Sequence, residues 1–158
     1  MSTVQAPSKR ERRTSEVQFA TFYVGDILLG IDIRYVQEIN RQLAVTRVPH
    51  APPEVRGVIN LRGDAAAVTD LRRGWDLPPA DLTRDSRNLI VNFDGESIGL
   101  LVDRISDILT ISEDQIEPPP ANVSGLDGRL LAGVHTMKSS IVVLLDIEQA
   151  LSDSHLMS

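Results

Sequence analysis

The segment Phe19-Ala-Thr-Phe-Tyr-Val-Gly-Asp26 lies over Leu89-Ile-Val-Asn-Phe-Asp-Gly-Glu96 at an offset of 70, with Gly25 over Gly95 and Asp26 over Glu96. One residue of slip then lays Gly30, Val36, Glu38 and Ile39 over Gly99, Ile105, Asp107 and Ile108. Further on, Gly57-Val58 and Asp70 fall on Gly133-Val134 and Asp146, and Asn60, Arg62 and Leu71 on Thr136, Lys138 and Ile147. Aliphatic residues match one another by chance. The shared glycines, acids and turn cation carry the duplication. A chain that repeats its own order of elements is confined to architectures built from two like units.

The units read as β. Apolar runs at 18–24, 27–31, 56–61, 65–71, 88–93, 97–102, 130–134 and 140–145 are five to seven residues long, rich in Val, Ile and Leu, and bounded by turn residues. Phe93-Asp94-Gly95-Glu96 carries the Asp-Gly hairpin signal, and Val24-Gly25-Asp26 a weaker form of it. Two short helical pieces are expected. Asp32 caps one, with Ile33, Val36 and Ile39 on its face. Asp146 caps the other, with Gln149 completing a capping pair and Ile147, Ala150 and Leu151 buried. Sheets this small remove their edges by curling into barrels. A single copy of about 65 residues has a marginal core, so the two copies depend on each other. Residues 1–15, with Lys9-Arg-Glu-Arg-Arg13, read as a disordered tail. Residues 16–151 form the domain with a linker at about 72–87, and 152–158 a second tail.

Composition narrows the function. Net charge is −6 over 158 residues, which argues against binding nucleic acid through phosphate contacts. There is no cysteine, so disulfides, thiolate metal sites and a cysteine nucleophile are excluded. The longest aliphatic run, Ile141 to Leu145, is far short of the ~20 residues of a membrane span. With no apolar leader at the N-terminus, a soluble cytoplasmic protein is expected. Residues 34–73 carry a net +3 and residues 89–128 a net −7, an asymmetry that bears on partners.

No catalytic pattern appears. The sequence lacks a phosphate loop, a dinucleotide fingerprint, a nucleophile elbow and a His-Glu-x-x-His helix. His50, His135 and His155 stand in a proline loop, a strand and a tail, and Asn122-Val-Ser124 is an isolated sequon. Asp32, Asp70, Asp103 and Asp146 each follow an apolar run. Hydrolytic work by such carboxylates is one reading, and capping of the next turn the simpler one. No cofactor or metal is expected.

Val55-Arg-Gly-Val-Ile-Asn-Leu-Arg-Gly63, followed by Val68-Thr-Asp-Leu-Arg72, resembles the signature of the CheW-like bacterial chemotaxis coupling proteins. Gly30-Ile-Asp-Ile-Arg-Tyr-Val-Gln-Glu-Ile39 is similar to that family's next most distinctive segment, and the likeness extends over about residues 17–151. It implies an all-β fold of two pseudo-symmetric, intertwined SH3-like five-stranded β-barrels with short helices. It also implies a non-enzymatic adaptor, a monomer when free. Its partners would be the cytoplasmic helical bundle of chemoreceptors and the histidine kinase CheA, with no insertion into the membrane. A regulatory module of a larger CheA-type or CheV-type protein, in a non-flagellar pathway, is the alternative. The resemblance puts Val36, Glu38 and Arg62 on the receptor-binding surface, and Arg56 and Gly57 on the kinase-binding one. The chain departs from the family at Asp64-Ala65-Ala66-Ala67, where bulky apolar residues and a proline are usual.

The residues alone leave roles open. Arg62 and Glu38 have opposite charge in matching blocks, and Lys138 and Asp107 keep the signs in the second copy. Such a pair either meets a partner or braces a turn. Val36 is either a buried staple or an exposed anchor. Gly57 and Gly63 read as turn glycines, and Ile108, the partner of Ile39, as core.

Overall fold

The computed structural model describes residues 15–152 except 76, 79, 124 and 125. Residues 1–14 and 153–158 of the expected tails, with Lys9–Arg13 and His155, lie outside the described residues, as does Ser124 of the sequon. The first copy contributes β1 (Glu16–Val24), β2 (Ile27–Asp32), β3 (Val36–Asn40), β4 (Val55–Leu61), β5 (Asp64–Asp70) and α1 (Leu71–Gly74). The second contributes β6 (Arg87–Phe93), β7 (Glu96–Val102), β8 (Arg104–Ser112), the small ribbon β9 (Asn122–Val123) and β10 (Leu126–Asp127), β11 (Leu131–Thr136), β12 (Ile141–Leu145) and α2 (Ile147–Ser152).

The strands form two five-stranded sheets, ordered β11-β12-β2-β1-β8 and β4-β5-β7-β6-β3. Replacing each strand by its repeat partner turns one order into the other. The copies exchange hairpins. β1–β2 of the first copy completes the sheet of β8, β11 and β12, and β6–β7 of the second completes that of β3, β4 and β5. Four joints link the copies: the antiparallel pairs β1–β8 and β3–β6, and the parallel pairs β2–β12, with Leu29 beside Val143, and β5–β7, with Val68 beside Gly99. Among the described residues the ladder strands β3 and β8 do not pair with β4 and β11, but the segments that follow them reach those strands through the single bridges Thr46–Val58 and Glu117–Val134.

Burial explains why the apolar runs are continuous rather than alternating. Side chains on one face of each sheet meet in a central core shared by both, built around Phe22, Leu29, Ile31, Leu89, Val91, Leu100 and Val143. The opposite faces enclose two private cores, one of Ile59, Leu61, Ala66, Val68 and Ile90, the other of Phe19, Leu28, Ile111, Val142 and Leu144. Neighbours on a strand therefore point into different cores, as Leu89 and Ile90 do, and both faces need aliphatic residues.

The Asp-Gly turn is as expected, with Asp94 and Gly95 both at positive φ (55° and 81°) between paired Phe93 and Glu96. Asp146 caps α2 by accepting from the Gln149 N–H at 3.1 Å, and Ile147, Ala150 and Leu151 are buried. The helix expected after Asp32 is instead one 3₁₀ turn, Ile33–Tyr35, and Val36 to Asn40 is strand. The Asp32 carboxylate does cap that turn, accepting from the Arg34 N–H at 2.9 Å. Once extended, β3 turns Ile39 outward, and Ile108 of β8 likewise. They are 41% and 49% exposed, so Ile108 is not core. Asp103 caps no following turn. It accepts from the Gly25 N–H at 2.6 Å, in the other copy.

The exchange also redistributes charge. The basic stretch 34–73 stays with one sheet. The acidic stretch is divided: Asp94 and Glu96 join that same sheet, while Asp107 and Glu113 lie on or beside β8 in the other.

Candidate functional site

β4 and β5 are joined by the two residues Arg62 and Gly63, with Leu61 paired to Asp64. Both turn residues have positive φ, 55° and 93°, the twist a two-residue hairpin favours. An arginine held in that region is uncommon. Its consequence here is that the guanidinium is carried outward over β3. Nη2 of Arg62 stands 3.0 Å from Oε1 of Glu38, with the arginine side chain 75% exposed and the glutamate 22%.

A closed chain of polar contacts fixes this pair. Glu38 Oε2 accepts from Asn40 Nδ2 at 3.0 Å, and Asn40 Oδ1 accepts from the Gln42 N–H at 2.9 Å. Gln42 Nε2 donates to the Asn60 carbonyl at 3.2 Å, and Asn60 Oδ1 accepts from the Gly63 N–H at 2.9 Å, next to Arg62. Buried Asn88 of β6 donates to the Gln42 carbonyl from behind. The ring holds the Glu38 carboxylate in place, and the exposed guanidinium lies against its Oε1. Asn40 and Gln42 escaped the sequence reading, and Asn60 entered it only as a repeat match of Thr136. An Asn two residues ahead of Arg-Gly was the one available signal, since Asn side chains commonly bond turn N–H groups.

Val36 is half-buried at the head of β3 and packs against the central core, between the two roles the sequence left open. Lys138 and Asp107, the second-copy counterparts of Arg62 and Glu38, form no ion pair among the described residues.

Arg56 and Gly57 stand at the opposite end of β4, roughly 20 Å from Arg62 at strand rise. Nη1 of Arg56 lies 3.5 Å from Oδ2 of the buried Asp70, which also caps α1 through the Arg72 N–H at 3.0 Å. Gly57 is not a turn glycine. It sits inside β4 at a register shift, with φ of 153°, and a Cβ there would collide with the Thr46 carbonyl oxygen. That carbonyl accepts from the Val58 N–H, and the Thr46 N–H donates back, closing the loop before β4 onto the strand. β4 thus bears two separate polar groups, Arg62 with Glu38 at one end and Arg56 with Asp70 at the other.

Beside the ring, Ala65 lines a depression of about 310 Å³ together with Gln42, Ala44, Thr46, Val58 and Asn60. Ala66 is in the private core and Ala67 pairs with Val58. The small side chains thus open the surface on one flank of the Arg62 turn.

A second set of contacts binds the copies together. Arg72 of α1 meets Asp103 and donates to the Pro78 carbonyl at 2.6 Å. In the other half the equivalent segments meet through Tyr35 Oη and Glu148 Oε2 at 3.1 Å. Burial, then the hydrogen bond to Glu148, raises the Tyr35 phenol above its ordinary range. Arg34 lowers the Asp32 carboxyl by hydrogen bonds from its guanidinium and backbone.

The His135 ring nitrogen contacts the Gln115 carbonyl at 3.1 Å, and His50 takes a positive φ of 66°. Among the described residues no three His, Asp or Glu side chains gather as a metal site, and no helix is long and apolar enough to cross a membrane.

The CheW-like domain family matches residues 18–155. The chain is 31% identical over 156 residues to the chemotaxis protein CheW of Klebsiella aerogenes, covering 99% of this chain and 94% of that one. It is 32% identical to the chemotaxis protein CheW of Helicobacter pylori over 146 residues, 92% of this chain and 88% of the relative. The solved scaffolding protein TtCheW of Thermoanaerobacter tengcongensis superposes with a TM-score of 0.77 at 30% identity, covering 84% of this chain and 90% of that one.

Proposed function

Because the chain belongs to the CheW-like domain family, we propose that it is a non-enzymatic cytoplasmic scaffold that couples chemoreceptors to the histidine kinase CheA. The observation that carries this reading is the braced Arg62–Glu38 pair. A surface ion pair adds roughly 0.2–1 kcal/mol to stability. A five-residue polar ring that holds one exposed arginine is more than a turn requires. Such an arginine suits a partner surface that offers carboxylates or carbonyls in fixed geometry.

On this reading Val36, Glu38 and Arg62 form the receptor-facing group. Arg56 and Gly57 belong to the kinase-facing end of β4. The separation of about 20 Å along one strand supports simultaneous engagement of two partners. The relatives called chemotaxis protein CheW, and the solved scaffolding protein TtCheW, support the same class of work. Purified chain mixed with a CheA-type kinase and a receptor signalling fragment should give a ternary complex by size exclusion. Recovery of only binary complexes, with the partners excluding each other, would count against coupling.

A further inference from the structure

Alanine flanks Asn60 of β4 on both sides. Ala65 of β5 pairs with it, and the antiparallel bridge between Thr46 and Val58 brings Ala44 toward it from the other side. Both alanines are exposed. Their backbones stand about 10 Å apart, two strand spacings, a gap that two methyl groups do not close. The depression of about 310 Å³ lies between them, with Gln42, Thr46 and Val58 completing its walls and Ile59 of the private core also lining it. Side chains on adjacent strands fill such gaps when they are large, so Ala44 and Ala65 set its width.

Hydrogen bonds hold the walls. The Thr46 N–H donates to the Val58 carbonyl at 2.9 Å, and the Val58 N–H donates back to the Thr46 carbonyl at 2.8 Å. The two rim amides are half used. Gln42 Nε2 and Asn60 Oδ1 are engaged in the ring, while Gln42 Oε1 and Asn60 Nδ2 have no partner among the described residues. A preformed hollow with an apolar base and a few polar groups at its rim is suited to a protruding anchor side chain.

Charge selects what carries that anchor. Arg41 precedes Gln42, Arg47 follows Thr46, and Arg62 stands two residues from Asn60, and all three are exposed. Arg41 and Arg47 form no ion pair among the described residues. The nearby acids are Asp64 and Glu38, the latter held by Arg62. This cationic excess favours an acidic partner surface. Ala65 and Asn60 lie two residues in from the Arg62–Gly63 turn, about 7 Å along the strands. That spacing is close to one helical turn, about 5.4 Å.

We propose that the depression receives one large aliphatic side chain from a receptor helix whose acidic residue, one turn away, meets Arg62. Ala65 and Ala44 thereby decide how large a side chain the site accepts, and act as specificity-determining residues. The proposal rests on the reading of Arg62 as receptor-facing.

Isothermal titration of the full chain against a receptor signalling fragment tests it. Ala65→Leu fills the depression from an exposed position, so it should leave the melting temperature unchanged and weaken binding at least tenfold. Ala44→Leu should do the same from the other wall, and Ala65→Ser, of similar volume, should bind within about twofold of wild type. Replacing the fragment's aliphatic residues by Ala one at a time should identify one that matters to the wild-type chain and no longer matters to Ala65→Leu. Wild-type affinity in both leucine variants overturns the proposal. So does lost binding to a CheA-type kinase with receptor binding kept, which would put the kinase in the depression. Arg62→Glu separates this from the reading beneath it. If that variant loses the receptor while both leucine variants keep it, the receptor-facing reading stands and the depression proposal falls. If both leucine variants lose the receptor and Arg62→Glu keeps it, the depression is occupied and Arg62 is not receptor-facing.

Discussion

Nη2 of Arg72 stands 2.5 Å from Oδ2 of Asp103, thirty-one residues away in sequence. The same carboxylate accepts from the Gly25 N–H in the β1–β2 turn. One acid therefore ties the end of the first copy, its first hairpin and the β7–β8 junction of the second. Arg72 has gained an acid that its local sequence does not supply, and hydrogen bonding to Asp103 raises its pKa further.

Arg72→Ala or Asp103→Ala should each cost about 1.5–3 kcal/mol, the range for hydrogen bonds to charged groups. Asp103 is 36% exposed in its side chain, which favours the lower half of that range. Chemical denaturation of the single and double variants would show coupling between the two sites. Additive losses would mean that the pair does not act as a clasp.

Gly57→Ala should destabilise the chain by about 1–3 kcal/mol, because its φ of 153° and the Thr46 carbonyl both oppose a Cβ. The loop before β4 would lift from the strand. A variant with unchanged melting temperature but lost kinase binding would make Gly57 a contact residue rather than a structural one.

Arg62→Glu loses the ion pair with Glu38 and should cost about 1 kcal/mol of stability, yet weaken receptor binding by at least tenfold through like-charge contact. Exchanging the pair, with Arg62→Glu and Glu38→Arg together, should restore the bridge but not the binding. Isothermal titration against a receptor fragment separates these outcomes. Unchanged affinity in Arg62→Glu would remove this residue from the receptor surface.

Asp32 titrates below its ordinary 3.8 when folded. A carboxyl so depressed contributes stability that is complete above the unfolded value and is lost as pH falls through the folded one. Between neutral pH and about 5 its contribution should be constant. Below that, Asp32→Asn should show a shallower acid decline than the wild type in urea melts. Parallel acid limbs would assign the decline to other groups.

Neither half of a chain cut between residues 77 and 86 should fold alone. Each sheet takes two strands from one copy and three from the other. Mixing the halves should regain the β signal. A sharp thermal transition in one isolated half would contradict the exchange.

Much of this fold was legible locally. Eight of the twelve strands announced themselves as bounded aliphatic runs, the Asp94-Gly95 turn by its dipeptide, and α2 by its Asp146 cap, because these depend on neighbours a few residues away. The pseudo-symmetry was legible too, since duplication is written in spacing. β3 was missed because two of its inward positions, Glu38 and Asn40, are polar while Ile39 faces out, and β8 because its inward and outward residues do not alternate cleanly. Val36 and Glu38 flank a register shift in β3, and β8 crosses a second shift in β1. Ile108 was misplaced for the same reason: a strand's period of two sends a one-residue error to the opposite face.

The partners of the exchanged hairpins were beyond any local signal. Leu29 pairs with Val143 and Val68 with Gly99 across long separations, and any aliphatic strand satisfies the same pattern. The choice is made when both faces of each hairpin are buried at once, one in the shared core and one in a private core. Likewise, Arg62 and Glu38 could be named from sequence as opposite charges. That Asn40, Gln42 and Asn60 close a ring around them depends on how β3 is brought beside the β4–β5 turn, which only the packed sheets decide.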